Sequence, residues 1–285
     1  MALLYEVACD YLTMTWSGID TVTPMDNRKE WVEWVQGVER KWGGMSRLKR
    51  WAWQGYIGWS LGTVSWGERA DGYLLRLSGI MADEYFMSSL PTGHNCSRFD
   101  ISVTIFGIQD IDGFIADHKE EAIQYRKTLQ HRPFSMRYID SVGDGNTLYL
   151  GARTSERYLR IYNKQKEQAN DERWQGAIRY ECEYKEGSAR QVLERGRSSD
   201  DRRATLARFM VGACKDRGIN IPVVLVGSGP LAPAHQRLRN DDETSLEWLR
   251  TQVSPTIRRL LDNGRYDDII TALGLERRKD DRDDG

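Results

Sequence analysis

Two short segments that alternate with a period of two constrain this chain most. They are Tyr158-Leu-Arg160-Ile-Tyr162-Asn-Lys164 and Arg179-Tyr-Glu181-Cys-Glu183-Tyr-Lys185. Strands place every second side chain on one face. Tyr158, Arg160, Tyr162 and Lys164 therefore share a face of the first, and Arg179, Glu181, Glu183 and Lys185 a face of the second. A third segment, Arg98-Phe-Asp100-Ile-Ser-Val-Thr-Ile, puts Arg98 and Asp100 on a common face in the same way. Three strands thus offer tyrosines, carboxylates and cations.

That mixture has two readings. An exposed sheet face makes cross-strand ion pairs from the same residue types, each contributing about 0.2–1 kcal/mol. The second reading is phosphodiester cleavage by a tyrosine. A phenol has a reference pKa near 10, so only about one in a thousand is ionised at neutral pH. Arg160 and Lys164, two residues either side of Tyr162, are spaced to favour its ionised form and to hold a phosphate. Asp100, Glu181 and Glu183 are oxygen donors of the type magnesium or manganese takes, if their strands are neighbours. Tyr158 shares the face of Tyr162, and Tyr149 on the preceding strand is a third candidate nucleophile. The four histidines, His94, His118, His131 and His235, form no His-x-His pair, which disfavours a histidine-held metal.

The composition excludes several classes. A net charge of -1 over 285 residues makes any nucleic-acid surface local. Cys9, Cys96, Cys182 and Cys214 are far apart, with no CxxC pair, which fits reduced thiols in a cytosol. There is no secretory signal pattern and no run of roughly 18 apolar residues, so no membrane segment is expected. Eight of the ten tryptophans lie between Trp16 and Trp66. Packing of a sheet on a helix accounts for such a cluster, and stacking on unpaired bases is the sharper alternative.

Period and punctuation predict an α+β chain. Strands are expected over 4–17, Trp53–Trp66 (a Gly-rich hairpin), Asp71–Leu77, Arg98–Phe106, Phe134–Ser141, Thr147–Leu150, Arg157–Asn163 and Ala177–Tyr184. Helices are expected over 25–41, 110–129, Gly187–Gly196 and Asp200–Gly218, around Leu246, Leu249 and Val253, and after an N-cap at Ser254 with Pro255 first in the helix. The order predicts two duplicated α+β halves, each an antiparallel sheet plus helices, 1–130 and a catalytic 131–225. C-terminal helices over 226–275 and a charged tail over 276–285 follow. Arg190, Arg195, Arg197, Arg202, Arg203 and Arg208 form either a duplex-binding surface or a solvated helix face.

The residues also resemble a known family, the rolling-circle replication initiation factors of plasmids and phages, to which conjugative relaxases are related. Asp10-Tyr-Leu-Thr-Met-Thr is similar to the family's opening strand, and Leu75-Arg-Leu-Ser-Gly79 to its strand ending in Ser-Gly. Ser97-Arg-Phe-Asp100 resembles its Arg-x-Asp strand, Thr147-Leu-Tyr-Leu-Gly-Ala-Arg-Thr-Ser155 its hairpin, and Arg160-Ile-Tyr-Asn-Lys164 its Arg-Ile-Tyr-Asp-Lys motif. Arg179-Tyr-Glu181 resembles its Arg-x-Glu strand, and Leu246–Pro255 a C-terminal helix of phage initiators. Thr104 stands where many members carry a second acid, and Asn163 where Asp or Glu is common.

The resemblance implies nicking of one strand at an origin through a 5′-phosphotyrosine, with Mg2+ or Mn2+. The nucleophile would be Tyr162, with Tyr158 the alternative; Arg160 and Lys164 would assist it. Asp100 and Glu181 would hold the metal, Glu183 more weakly. Arg153, Arg179 and Arg98 would bind DNA. Implied partners are origin DNA as a single-stranded or hairpin nick site, the host helicase and polymerase, and a second copy in a homodimer, with no membrane. A conjugative relaxase of the same chemistry and a non-catalytic DNA-binding regulator on this scaffold are the alternative functions.

Overall fold

Successive hairpins and three connections between non-adjacent strands assemble ten strands into one sheet. The computed structural model describes residues 4–17, 49–53, 55–69, 72–88, 95–129, 134–141, 143–169, 171–223, 229–233 and 253–272. The expected helix at 25–41, Leu246 and Leu249 of the expected helix that ends at Val253, and the tail lie outside them. The strands are β1 (Tyr5–Ser17), β2 (Lys49–Trp53), β3 (Tyr56–Leu61), β4 (Val64–Arg69), β5 (Gly72–Ser78), β6 (Asn95–Ile105), β7 (Met136–Ile139), β8 (Thr147–Leu150), β9 (Arg157–Asn163) and β10 (Ile178–Lys185). Their order is β2-β3-β4-β5-β1-β6-β10-β9-β8-β7, and every pairing is antiparallel. The helices of the same unit are α1 (Ile80–Met87), α2 (Ile111–Thr128), the single turn α3 (Lys164–Glu167), α4 (Glu186–Arg197) and α5 (Arg202–Lys215).

Alternation sorts the two faces. Phe99, Ile101, Val103 and Ile105 of β6, Tyr180, Cys182 and Tyr184 of β10, and Leu159 and Ile161 of β9 point to one side and are buried. Burying each large side chain stabilises by about 1.5–3 kcal/mol. Helices cover this side: α1 and α5 contact β1, α4 contacts β6 and β10, and α2 contacts β8 and β9. Asp110 caps α2 by accepting from Gly113 N at 2.9 Å, and Asp201 caps α5 by accepting from Ala204 N at 2.9 Å. Polar fasteners complete the layer: His118 of α2 lies 2.6 Å from Tyr180 Oη and 2.8 Å from Glu121 Oε2.

The two Arg-x-acid strands, β6 and β10, lie side by side at the centre, with three strands further out on one side of them (β9, β8, β7) and five on the other. The flanking strands arrive in different orders: β1, the first strand of the chain, borders β6, whereas β9, the last before β10, borders β10. Helix α1 is additional to the elements expected from the sequence. The division of the chain falls at 235/236, and the second unit contains α6 (Ser254–Asp262) and α7 (Tyr266–Ala272). Ser254 opens α6 as a helical residue, one place later than its expected capping role; Val253 is the N-cap.

Gly58 of β3 pairs with Gly67 of β4. A Cβ on Gly58 would lie 1.9 Å from the Trp66 carbonyl oxygen and 2.4 Å from the Gly67 Cα. Both are backbone atoms, so Gly58→Ala must push β3 off β4. The expected cost is at least about 2 kcal/mol, to be read as a lower urea midpoint with an unchanged slope.

Candidate active site

The register carries the three alternating segments onto the face opposite the helices. Glu183 of β10 pairs with Asp100 of β6 on one side and Tyr158 of β9 on the other. Glu181 pairs with Ser102 and Arg160, and Arg179 with Thr104 and Tyr162. Antiparallel partners share a face, so every catalytic and metal residue expected from β6, β9 and β10 comes to one side. Lys164, first residue of α3, is buried beside them.

Glu181 is the hub. Tyr162 Oη donates to its Oε1 at 2.7 Å, and Arg160 donates to its Oε2 through Nε at 3.1 Å and through a terminal nitrogen. The Arg160 guanidinium also lies 4.4 Å from the centre of the Tyr162 ring. Tyr162 is only 4% exposed. Burial first, and then the Glu181 charge, push its phenol well above the ordinary tyrosine range, against the pull of Arg179 and Arg160. The phenol is therefore held neutral, with its proton already directed at a carboxylate.

Asp100 is the second focus. Arg98 grips it with two hydrogen bonds, Nε to Oδ1 at 2.9 Å and Nη2 to Oδ2 at 2.6 Å, and reaches Glu183 Oε2 at 2.9 Å. Lys185 Nζ lies 2.8 Å from the other oxygen of Glu183. Burial pushes the Asp100 carboxyl up to about 7; Arg98 opposes this, and the charges of Glu183 and Glu181 add to it.

An open cleft of about 150 Å3 is lined by Arg98, Asp100, Tyr149, Arg153, Tyr158, Arg160, Glu181 and Glu183. Tyr149 and Tyr158 stack in it, with ring centres 5.8 Å apart and planes at 19°. Tyr162 lies behind Glu181, outside the lining. Lys164 is turned to Glu167 at 2.6 Å, with the Tyr162 ring 5.8 Å away. Arg179 donates to Thr104 Oγ1 at 2.9 Å and lies 3.6 Å from Asp10. Thr104, in the place of an acid, thus serves as an acceptor. Asn163 caps α3, accepting from Lys166 N at 3.0 Å, and donates to Asp112 Oδ1 at 3.0 Å.

Sequence reasoning assigned no role to Asp10 and Tyr11. A register shift between Cys9 and Tyr11 marks a bulge in β1. It lets consecutive residues turn to one face, Asp10 toward Arg179 and Tyr11 beneath Arg98, whose guanidinium is 4.2 Å from the ring centre. Strict alternation cannot reveal such a pair. Most of the arginine-rich helices is structurally engaged: Arg202 donates to Phe86 O and Ser88 O, Arg203 pairs with Asp83, Arg208 donates to Gly229 O, and Arg190 to Asn95 Oδ1. This favours the fold-supporting reading over a free duplex surface.

The donor set suits a hard cation. Asp100, Glu181 and Glu183 face one cleft, and the charges of the two glutamates add to the cost of ionising Asp100, which a bound divalent ion would relieve. No preassembled group of three His, Cys, Asp or Glu ligands occurs among the described residues. Magnesium asks for less, binding through one or two carboxylates with phosphate and water completing its shell. Asp100 and Glu183, bridged by one guanidinium, meet that requirement.

Comparison with known proteins agrees with this architecture. No curated protein matches the chain. A solved structure titled as the rolling circle replication initiator protein of Geobacillus stearothermophilus is similar in fold, with a TM-score of 0.50 and 18% identity over 67% of this chain and 78% of that one. The model of the replication initiation factor family matches residues 94–273, from the Arg98–Asp100 strand through the cleft to α7. With well over half its length matched, this chain belongs to the replication initiation factor family.

Proposed function

We propose that the protein starts rolling-circle replication by nicking one DNA strand at an origin, with Tyr162 as nucleophile. The observation that carries this reading is the hydrogen bond from Tyr162 Oη to Glu181 beside a cleft of arginines and carboxylates. Because the phenol is neutral, attack requires a base in contact, and Glu181 is that base. Tyr162 Oη bonds to the scissile phosphorus and its proton passes to Glu181 Oε1. The bond from phosphorus to the 3′ oxygen breaks, and that oxygen takes a proton from water. The products are a 5′-phosphotyrosine and a 3′-hydroxyl, with phosphoester energy conserved for rejoining.

Arg160, Arg98 and Arg153 line the cleft as counter-charges for the non-bridging oxygens. Asp100 and Glu183 would hold a magnesium or manganese ion, which when bound supplies further charge neutralisation at phosphate. Origin DNA is the substrate in unpaired or hairpin form, because a sheet-borne phenol behind a carboxylate cannot reach into a stacked duplex. A second reading gives the nucleophile to Tyr158, since Tyr158 lines the cleft and Tyr162 does not.

The test is a covalent adduct on a denaturing gel after mixing the protein with single-stranded origin DNA and manganese. Adduct is expected with the ion and none with a chelator; intact DNA in both lanes would leave a DNA-binding regulator. Since Asp100 must lose its proton before it can ligate, ion affinity and adduct yield should rise with pH through about 7. Asp100→Asn should flatten that rise.

A further inference from the structure

Beyond the cleft, the same face continues across β1 and β5 to β2 as an alternation of guanidiniums and aromatic rings. Arg98 lies over the Tyr11 ring, with 4.2 Å between its guanidinium carbon and the ring centre. Arg76 of β5 donates through Nε to Tyr11 Oη at 2.8 Å, and its guanidinium lies 5.1 Å from the Trp53 ring and 5.9 Å from the Trp51 ring. The register explains why these groups meet. Asp100 pairs with Tyr11, Arg98 with Thr13, and Thr13 with Arg76, so the β1 and β5 members face the cleft side. Arg76 pairs with Ser65, Ser65 with Ser60, and Ser60 with Lys49, which places Lys49, Trp51 and Trp53 on that side of β2.

Two strands lie between Arg76 and the tryptophans, and they are nearly bare where the ring crosses. Gly58 and Gly67 stand opposite each other there. A Cβ on Gly67 would come within 3.4 Å of the Trp51 ring. The Trp51 indole nitrogen is anchored to Trp59 O at 2.7 Å. The ring is therefore pinned across a glycine floor, while Trp53 remains 39% exposed at the outer strand.

We propose that this wing is a stacking track for single-stranded DNA running to or from the cleft. The inference rests on the reading that the cleft takes unpaired DNA, and it adds the residues that hold the strand outside the cleft: Tyr11, Arg76, Trp51 and Trp53. Charge and shape favour this occupant. Among the described side chains that β2, β3, β4 and β5 present on this face there is no carboxylate, whereas Lys49 and Arg76 supply cations. Among the described residues of these strands no helix stands on this face, and in paired DNA the bases are already stacked on one another, so the rings meet no free base face. Unpaired bases offer a π-face regardless of sequence, and arginines between rings meet the phosphates. The track is continuous with the cleft through Arg98, which touches both Asp100 and Tyr11.

The experiment uses the full chain, an oligothymidylate of about 20 nucleotides and a duplex of equal length, with fluorescence anisotropy in the presence of a chelator. Trp53→Ala should weaken oligothymidylate binding by about 5- to 100-fold and leave duplex binding within about 2-fold. Trp53→Phe, which keeps a ring, should restore most of the affinity, and this outcome excludes a folding defect as the cause. Arg76→Gln should weaken oligothymidylate binding and reduce its salt dependence. Unchanged oligothymidylate binding in Trp53→Ala and Arg76→Gln would overturn the track, as would equal losses on oligothymidylate and duplex. Because no ion and no cleavage are involved, this result is independent of whether Tyr162 is the nucleophile.

Discussion

Tyr162→Phe should reduce origin nicking by at least about 1000-fold and eliminate the covalent protein–DNA adduct. The substitution removes a single oxygen, so its effect on the fold is bounded. The ring stays under Arg160, and Glu181 keeps both hydrogen bonds from that guanidinium. What is lost is one hydrogen bond to a charged acceptor, about 1.5–3 kcal/mol, which a melting curve would register as a modest shift. Tyr158→Phe provides the internal comparison. It preserves the stack on Tyr149 and should cost less than about 10-fold if Tyr158 only lines the cleft. The reverse pattern, adduct retained in Tyr162→Phe and lost in Tyr158→Phe, would transfer the nucleophile to Tyr158 and leave Tyr162 as its support.

Glu181→Gln should be nearly as damaging to catalysis, and for a different reason. The carboxylate accepts from Tyr162 on one oxygen and from Arg160 on the other. A glutamine offers one accepting oxygen and an amide that can take no proton, so the phenol keeps its hydrogen and the attack stalls. A loss of about 100- to 10000-fold in nicking rate is expected for a missing general base. The change also leaves Arg160 facing an NH2 group in a half-buried site, with a stability penalty of about 1–3 kcal/mol. Running the reaction at higher pH separates the roles. Hydroxide can replace a missing base, so the Glu181→Gln rate should climb between pH 7 and 9 while Tyr162→Phe remains inactive. A Glu181→Gln protein that nicks at the wild-type rate would remove the carboxylate from the proton path.

The central strands were legible because their chemistry repeats every second residue. Alternation alone placed Tyr158, Arg160 and Tyr162 together, and Glu181 with Glu183, and the register of β6, β10 and β9 then joined them. Three features were hidden for physical reasons. The bulge at Asp10 breaks the period, so two neighbouring side chains reach one face without any residue type announcing it. Helix α1 is short and carries apolar residues on both sides: Met81, Ala82, Tyr85 and Phe86 share the buried face while Ile80 and Met87 are exposed, which blurs a helical period. The arginines of α4 and α5 carry the composition of a nucleic-acid surface, yet most are spent on carbonyls and carboxylates of neighbouring segments, a fate that only the packing decides.

The acids meet across the boundary between β6 and β10, strands that pair although Asp100 and Glu183 are separated by most of the second quarter and part of the third quarter of the chain. A ribosome must have released β10 before Glu181 and Glu183 can join Asp100 and the tyrosine. Chains that stop before β10 therefore lack Glu181 and Glu183 and cannot complete the cleft. Under the proposed nicking activity, a chain would gain the ability to cut DNA only after its second half has been made.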